Sequence, residues 1–317
     1  MMNEIINMDF IVPIKQMGLF TRSVLEGIHL FYRPRRMIVI IRKDNIPILE
    51  SESLNWKTKN IEIMDENLFF IKNFDLTMDQ MREEFQKTGH EKHREFGWWY
   101  QQMIKLGAST QIENISEHYV VWDGDLIPLK KWDLSVANTE DGTIDYHIAI
   151  LQNEARSDFN KQEYEKCIQH LLGFHSFSPL NEGTFVSHHM VFKVEYVKEM
   201  IEFILHKNKI VKSWPLYFIS LSHSFYRFSE YMLYTSFMMH FHGNHFFYHT
   251  YEKYGKSGIR FREPEDIIQQ ISESYFCKQE QSEKKDFTYE EISNFFHTKS
   301  KHALPSYVQF EHVYYLL

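Results

Sequence analysis

Short apolar runs alternate with stretches of helical spacing through the first half of the chain. Residues Asp9–Ile14 (DFIVPI) form a short apolar run closed by a loop. From Thr21 to Tyr32, the residues Val24, Leu25, Ile28 and Phe31 fall on one side of a helix. Arg36–Ile41 (RMIVII) is an unbroken β-branched run, typical of a strand buried on both faces. Residues 61–64 predict a shorter strand. Residues 78–85 and 93–106 predict helices, the second ended by Gly107 just past its last turn. Residues 118–122 (HYVVW) predict the next strand. Strands that alternate with helices predict an α/β fold with a mostly parallel central sheet flanked by helices. Such sheets bind ligands at the carboxyl ends of their strands. Three such ends are candidates: residues 13–16, 42–45 and 123–125.

The second half is less regular and richer in helix. A strand is expected near 145–150 and a helix over 161–172 ended by Gly173. Further helices are expected over 196–206 and 225–242, the latter stopped by Gly243 and Asn244. Pro264 suits the first turn of one late helix, and Thr288 with Glu291 forms a capping box for another. The charged stretch 278–285 reads as a solvated loop.

Composition narrows the classes. The chain has 317 residues, 43% hydrophobic and 16% aromatic, with 27 Phe and 18 Tyr. That supports one large α/β domain or two small ones with a substantial core. Net charge is −8 and pI about 6.1, against non-specific nucleic-acid binding, which needs a basic surface. Cys167 and Cys277 are far apart and form no C-x-x-C pair, against a disulfide framework or a cysteine zinc site. The N-terminus does not read as a signal peptide, and no apolar run approaches the ~20 residues of a spanning helix. A cytoplasmic location is the expectation, with peripheral membrane contact left open.

The densest candidate chemistry is Asp123-Gly124-Asp125, placed where an apolar strand ends. Two carboxylates two residues apart suit a divalent cation held against a diphosphate, because hard cations such as Mg²⁺ or Mn²⁺ prefer carboxylate oxygen. A cation there would stabilise charge on a departing diphosphate. Gly124 is expected to let the backbone turn sharply and approach the ligand. A polar turn is the competing reading of so short a motif. Upstream, Trp98, Gln102 and Lys105 share a helix face by their spacing and offer a stacking ring, an amide and a cation to a nucleotide. Core tryptophans beside solvated Gln101 and Lys105 are the alternative. His188 and His189, expected on a strand and therefore on opposite faces, are candidates for an acceptor hydroxyl or a phosphate. Glu230 among aromatic neighbours suits a general base with a raised pKa, or simply an early-helix acid favoured by the helix dipole. His240, His242, His245 and His249 cluster after the long helix, but Gly243 and Asn244 interrupt it, so a closed zinc site fits poorly. One histidine of the four, with His242 the candidate, is expected to reach a metal or diphosphate.

Taken in order, these pieces resemble the GT-A glycosyltransferase superfamily of nucleotide-diphospho-sugar transferases. They are similar, more narrowly, to a poorly characterised bacterial and large-virus family within it. The carrying residues are DFIVPI at 9–14, WWYQQMIK at 98–105, YVVWDGD at 119–125, SHHM at 187–190 and SEYMLY at 229–234. The resemblance implies a nucleotide-sugar-binding half (1–130), an acceptor-binding and catalytic half (131–257) and a C-terminal helical extension (258–317). It implies transfer of a hexosyl-type sugar from a nucleotide-diphosphate sugar to a glycan, lipid-linked or protein acceptor. Asp123 and Asp125 match the metal motif, with Mn²⁺ or Mg²⁺ as cofactor. Pro13, Ile14, Trp98, Gln102, Lys105 and Asp123 are the implied nucleotide contacts. His188 and His189 are the implied acceptor contacts, and His242 an extra metal ligand. Glu230 sits where inverting members place their base, although the usual acidic pair is here Ser229-Glu230. Two other classes stay open: a nucleotidyltransferase acting on a sugar phosphate, and an inactive glycan- or nucleotide-binding relative. The first normally carries a Gly-rich basic loop after its first strand, where this chain has Lys15, Gln16, Met17 and Gly18.

Overall fold

The computed structural model describes residues 7–88, 95–137, 144–151, 158–176, 184–210, 213–225, 227–250, 258–275, 286–300 and 304–310. The expected loop at 278–285, Cys277, and the first residues of the helix expected from 93 lie outside the described residues.

In chain order the first elements are β1 (Asp9–Ile14), α1 (Thr21–Tyr32), β2 (Arg36–Ile41), α2 (Ile46–Ser53) and β3 (Ile61–Asp65). Next come α3 (Ile71–Phe74), α4 (Met78–Lys87), α5 (Phe96–Gln111), β4 (His118–Trp122), β5 (Leu126–Pro128), β6 (Ser135–Ala137) and β7 (Ile144–Leu151). Then follow α6 (Asp158–Leu172), β8 (His189–Lys193), α7 (Val194–Lys207), α8 (Trp214–Leu221), α9 (Glu230–Phe241) and β9 (Phe246–Thr250). The last are β10 (Ile259–Phe261), α10 (Glu265–Tyr275), α11 (Tyr289–Lys299) and β11 (Tyr307–Phe310). The class is mixed α/β with parallel strand pairs, as the alternation predicts. Among the described residues, no helix is long and apolar enough to cross a membrane.

The chain forms two compact units. The first combines residues 1–64, 122–132 and 252–317. Its β1 is buried along its whole length, and it pairs in parallel with β2 from Asp9 opposite Arg36 to Ile14 opposite Ile41. β3 lies beyond β2. A second sheet runs β10-β11-β5, with β11 parallel to β10 and antiparallel to β5. The described strands and helices of the C-terminal segment therefore belong to this unit. Their attachment is specific: Glu26 on α1 accepts from Tyr289 N (2.9 Å) and Lys57 N (3.1 Å), and Phe20 stacks on Phe310 with centroids 3.8 Å apart. Thr288 and Glu291 make the expected capping box on α11. Pro264 precedes α10 rather than opening it, and its carbonyl accepts from Ile268 N at 2.9 Å.

The second unit combines residues 65–121 and 133–251. β4 and β8 are neighbours, and a separate sheet runs β6-β7-β9. Aromatic packing dominates its core, with Trp99 on Phe228 at 4.8 Å and Phe192 on Tyr234 at 4.5 Å. Two expected boundaries move furthest. α5 continues through Gly107 to Gln111, and a Cβ on Gly107 would lie 2.7 Å from Phe70 Cε1. The glycine thus serves close packing and does not end the helix. α9 begins at Glu230 rather than 225, because Ser229 is its N-cap and accepts from Met232 N at 3.3 Å.

Candidate functional site

In the first unit, β4 ends at Trp122, which packs against Phe10 and Tyr32, and its indole N–H donates to Leu126 O at 2.8 Å. Leu126 N returns to Asp123 O at 3.1 Å, so residues 123–126 form a tight turn. Asp123, Gly124 and Asp125 are each half-buried in it. A Cβ on Gly124 would stand 2.8 Å from Ile14 Cγ1 and 2.9 Å from Pro13 O. The glycine therefore lets the turn close on the carboxyl end of β1, where a ligand had been expected to take that space. Pro13, Ile14, Asp123 and Asp125 are brought together this way.

Asp125 is pushed up from the ordinary carboxylate range to about 7, first by burial and then by the like charge of Asp123; Gln309 and Arg260 act in the opposite direction. Gln309 Nε2 donates to both oxygens of Asp125, at 3.2 Å each. These two partners were not legible in the sequence. They come from β11 and β10, more than a hundred residues downstream, and no local pattern marks them.

Two carboxylates that repel one another in a half-buried turn fit a divalent cation, which would add positive charge to that of Arg260. Among the described residues, no group of three or more His, Cys, Asp or Glu is arranged to hold a metal. A closed protein cage does not fit. A cation shared between one or two carboxylates and phosphate oxygens does, the usual manner of Mg²⁺.

The loop after β1 is engaged in local structure. Gly18 N donates to Thr21 Oγ1 at 2.9 Å, Thr21 N donates to Gly18 O at 3.1 Å, and Met17 N donates to Asn45 Oδ1 at 3.0 Å. These amides start α1 and anchor the chain after β2.

In the second unit, Trp98, Gln102 and Lys105 lie on α5 as their spacing predicts. Trp98 is half-buried, its Nε1 donates to Phe228 O (3.2 Å), and the Arg227 guanidinium covers its ring at 5.0 Å. Gln102 and Lys105 are each 2% exposed, so the solvated alternative for Lys105 does not hold. Gln102 Nε2 donates to Trp98 O (3.2 Å). Lys105 Nζ lies 2.8 Å from Glu230 Oε1 and 4.6 Å above the Tyr231 ring. Glu230 is 1% exposed. The carboxylate expected among apolar neighbours alone thus has an ammonium group as its partner.

His188 and His189 are buried. His188 is not on a strand: its φ of 64° puts it in the left-handed region, just before β8 begins at His189. The opposite-faces argument therefore does not apply. Ser187 Oγ donates to His189 O at 2.7 Å, and His189 Nδ1 lies 3.0 Å from Ser187 O. His242 follows α9, with Nε2 2.8 Å from Glu199 Oε2 and its ring stacked on Tyr196 at 4.1 Å. His240 stacks on Phe174 at 4.0 Å. Sequence reading passed over a second histidine group, in which His118 and His147 meet edge to face at 4.7 Å. His147 is held well below its ordinary pKa, mainly by burial and then by its neighbours His118, Lys193 and His245.

Solved structures similar to this chain include the apo form of mouse xyloside xylosyltransferase 1, at 9% identity over 86% of this chain and 94% of that one, with a TM-score of 0.43. The galactosyltransferase LgtC in complex with donor and acceptor sugar analogues is similar at 10% identity over 96% of this chain and 87% of its own, with a TM-score of 0.39. A 4-diphosphocytidyl-2C-methyl-D-erythritol synthase from Anaerococcus prevotii is similar at 9% identity over 65% and 86%, with a TM-score of 0.30. At such identities and scores the likenesses carry no argument about activity. No curated protein matches the chain. A family model described as a family of unknown function (DUF6492) matches residues 19–311, and the chain belongs to that family.

Proposed function

We propose that the protein is a divalent-metal-dependent glycosyltransferase of GT-A type, taking its sugar from a nucleotide-diphosphate sugar. The observation that carries this reading is the turn at Asp123 and Asp125: two like charges forced together at a strand's carboxyl end, with Asp125 raised to about 7. A bound Mn²⁺ or Mg²⁺ would stabilise the charge that gathers on the departing nucleoside diphosphate. Asp123 and Asp125 are its proposed protein ligands. His242 is left with Glu199, whose carboxylate already meets its Nε2. Pro13 and Ile14, buried against Gly124, are proposed to hold the turn at the carboxyl end of β1 and not to contact the nucleotide. His188 and His189 are buried, His189 with its Nδ1 3.0 Å from Ser187 O, and are given no acceptor role. The acceptor is a glycan, a lipid-linked glycan or a protein.

Glu230 enters this reading as the partner of Lys105. A base has to reach the acceptor hydroxyl, whereas Glu230 is 1% exposed and engaged by an ammonium group. The reading therefore assigns no base and leaves stereochemistry out. A nucleotidyltransferase finds less support, because the amides of Met17 and Gly18 are already bonded and do not form a free phosphate cradle.

The test is release of nucleoside diphosphate from a panel of UDP-, GDP-, CDP- and dTDP-sugars, with and without Mn²⁺. Metal-dependent release from one donor class, lost in Asp123→Ala plus Asp125→Ala, is the expected result. No release and no binding with any donor by the folded protein would remove the reading.

A further inference from the structure

Asp125 is held from the far end of the chain. Gln309 on β11 is buried, and its single amide nitrogen reaches both carboxylate oxygens of Asp125. The next residue, Phe310, donates its N–H to Asp125 O at 3.2 Å, so backbone and side chain of β11 grip the same residue. The strand register sets this up. Gln309 lies opposite Leu126 on β5 and beside Arg260 on β10, placing an amide and a cation next to the turn. A carboxylate rotates about a broad terminal torsion. A donor bridging its two oxygens restricts that rotation and fixes which lone pairs remain for a ligand.

We propose that Gln309 is a positioning residue for the metal and diphosphate site, orienting the Asp125 carboxylate, and that the C-terminal strand is thereby a built part of the donor site. This rests on the reading of Asp123 and Asp125 as metal ligands. Partners that orient a metal-binding side chain typically change metal affinity by about 10- to 100-fold when removed.

The experiment measures Mn²⁺ affinity of the full chain by electron paramagnetic resonance of free Mn²⁺, in the presence of pyrophosphate, with the melting temperature of each variant. Gln309→Met keeps the length of the side chain and removes the donor; it is expected to weaken Mn²⁺ binding by about 10-fold or more. Val308→Ala loosens the same strand without touching Asp125; it is expected to lower the melting temperature and leave Mn²⁺ affinity within about twofold of the parent, the split a purely structural strand would not give. If Gln309→Met does not fold, Gln309→Asn replaces it. That variant keeps a buried amide but draws its nitrogen back by one methylene, and the same loss is expected. Parent-like affinity in a folded Gln309 variant overturns the positioning role and leaves the transferase reading standing. Absence of Mn²⁺ binding by the parent itself overturns both.

Discussion

The two units each hold a small cluster of charge, and the clusters are opposite in kind. Lys105 and Glu230 in the second unit are opposite charges 2.8 Å apart, nearly without exposure. Asp123 and Asp125 in the first are like charges, half-buried, one of them driven to about 7. The first kind is complete in itself. Its attraction offsets part of the desolvation of both ions, and the Tyr231 ring lies 4.6 Å from the ammonium nitrogen. In the second kind burial and repulsion both act against the ionised form of Asp125, Gln309 and Arg260 act the other way, and a cation would add to their effect. Burial of charge alone therefore points to structure or to function equally well. The sign of the imbalance separates them.

The largest expected effect comes from breaking the complete pair. Lys105→Met leaves Glu230 buried beside apolar surface and is expected to cost about 3–5 kcal/mol in urea unfolding. Adding Glu230→Leu should recover much of that loss. A loss under about 1 kcal/mol for Lys105→Met would erase the contrast.

Next is the geometry of the acidic pair. Gly124→Ala would put a methyl 2.9 Å from Pro13 O and 2.8 Å from Ile14 Cγ1. The expected cost is about 1–3 kcal/mol, with the turn pushed away from β1. Parent-like stability and Mn²⁺ binding would show that the close approach is dispensable.

Acid should act through Asp125 and His147 in opposite directions in metal-free protein. Asp125 has a folded pKa above its unfolded value, so the folded state takes up its proton first, and stability rises as pH falls through about 7 toward the ordinary carboxylate range. His147 has a folded pKa below its unfolded value, so the unfolded state takes up its proton first, and stability falls as pH drops below 6.5. Each proton contributes a slope of at most about 1.4 kcal/mol per pH unit. Hydrogen exchange corrected for intrinsic rates, between pH 7.5 and 5.5 (values chosen to bracket about 6.5), should show protection falling at β7 and holding or rising at β5 and β11. Parallel changes in both would contradict the assignment of the two shifts.

The smallest expected effect concerns the scaffold of the acidic turn. Thr288→Ala removes the cap of α11, whose Tyr289 N donates to Glu26. It should cost about 1 kcal/mol in unfolding and leave nucleotide binding unchanged.

How legible each part was follows from how local its cause is. α1 and β2 appear over the predicted residues because their signals, one-sided apolar spacing and a β-branched run, lie within the elements themselves. The capping box at Thr288 is equally local. Gly107 misled because its cause is Phe70, which the sequence places 37 positions away in the turn before α3. Lys105 reads as a surface lysine until α9 brings Glu230 to it. The acidic turn was visible because strand, glycine and both aspartates are contiguous. Gln309 was not, because 184 positions separate it from Asp125 and a lone glutamine in a short strand carries no signal.

The most direct test of the central claim is a thermal-shift panel of UDP, GDP, CDP, CMP and dTDP, each with and without Mn²⁺, on the parent and on Asp123→Ala plus Asp125→Ala. A ligand at 100 times its Kd stabilises by about 2.7 kcal/mol, a readily measured rise in Tm. The expected result is a rise with one diphosphate that requires Mn²⁺ and disappears in the folded double variant. A rise of equal size in the double variant, or none with any nucleotide in the folded parent, would contradict the assignment of Asp123 and Asp125 to a metal and diphosphate site.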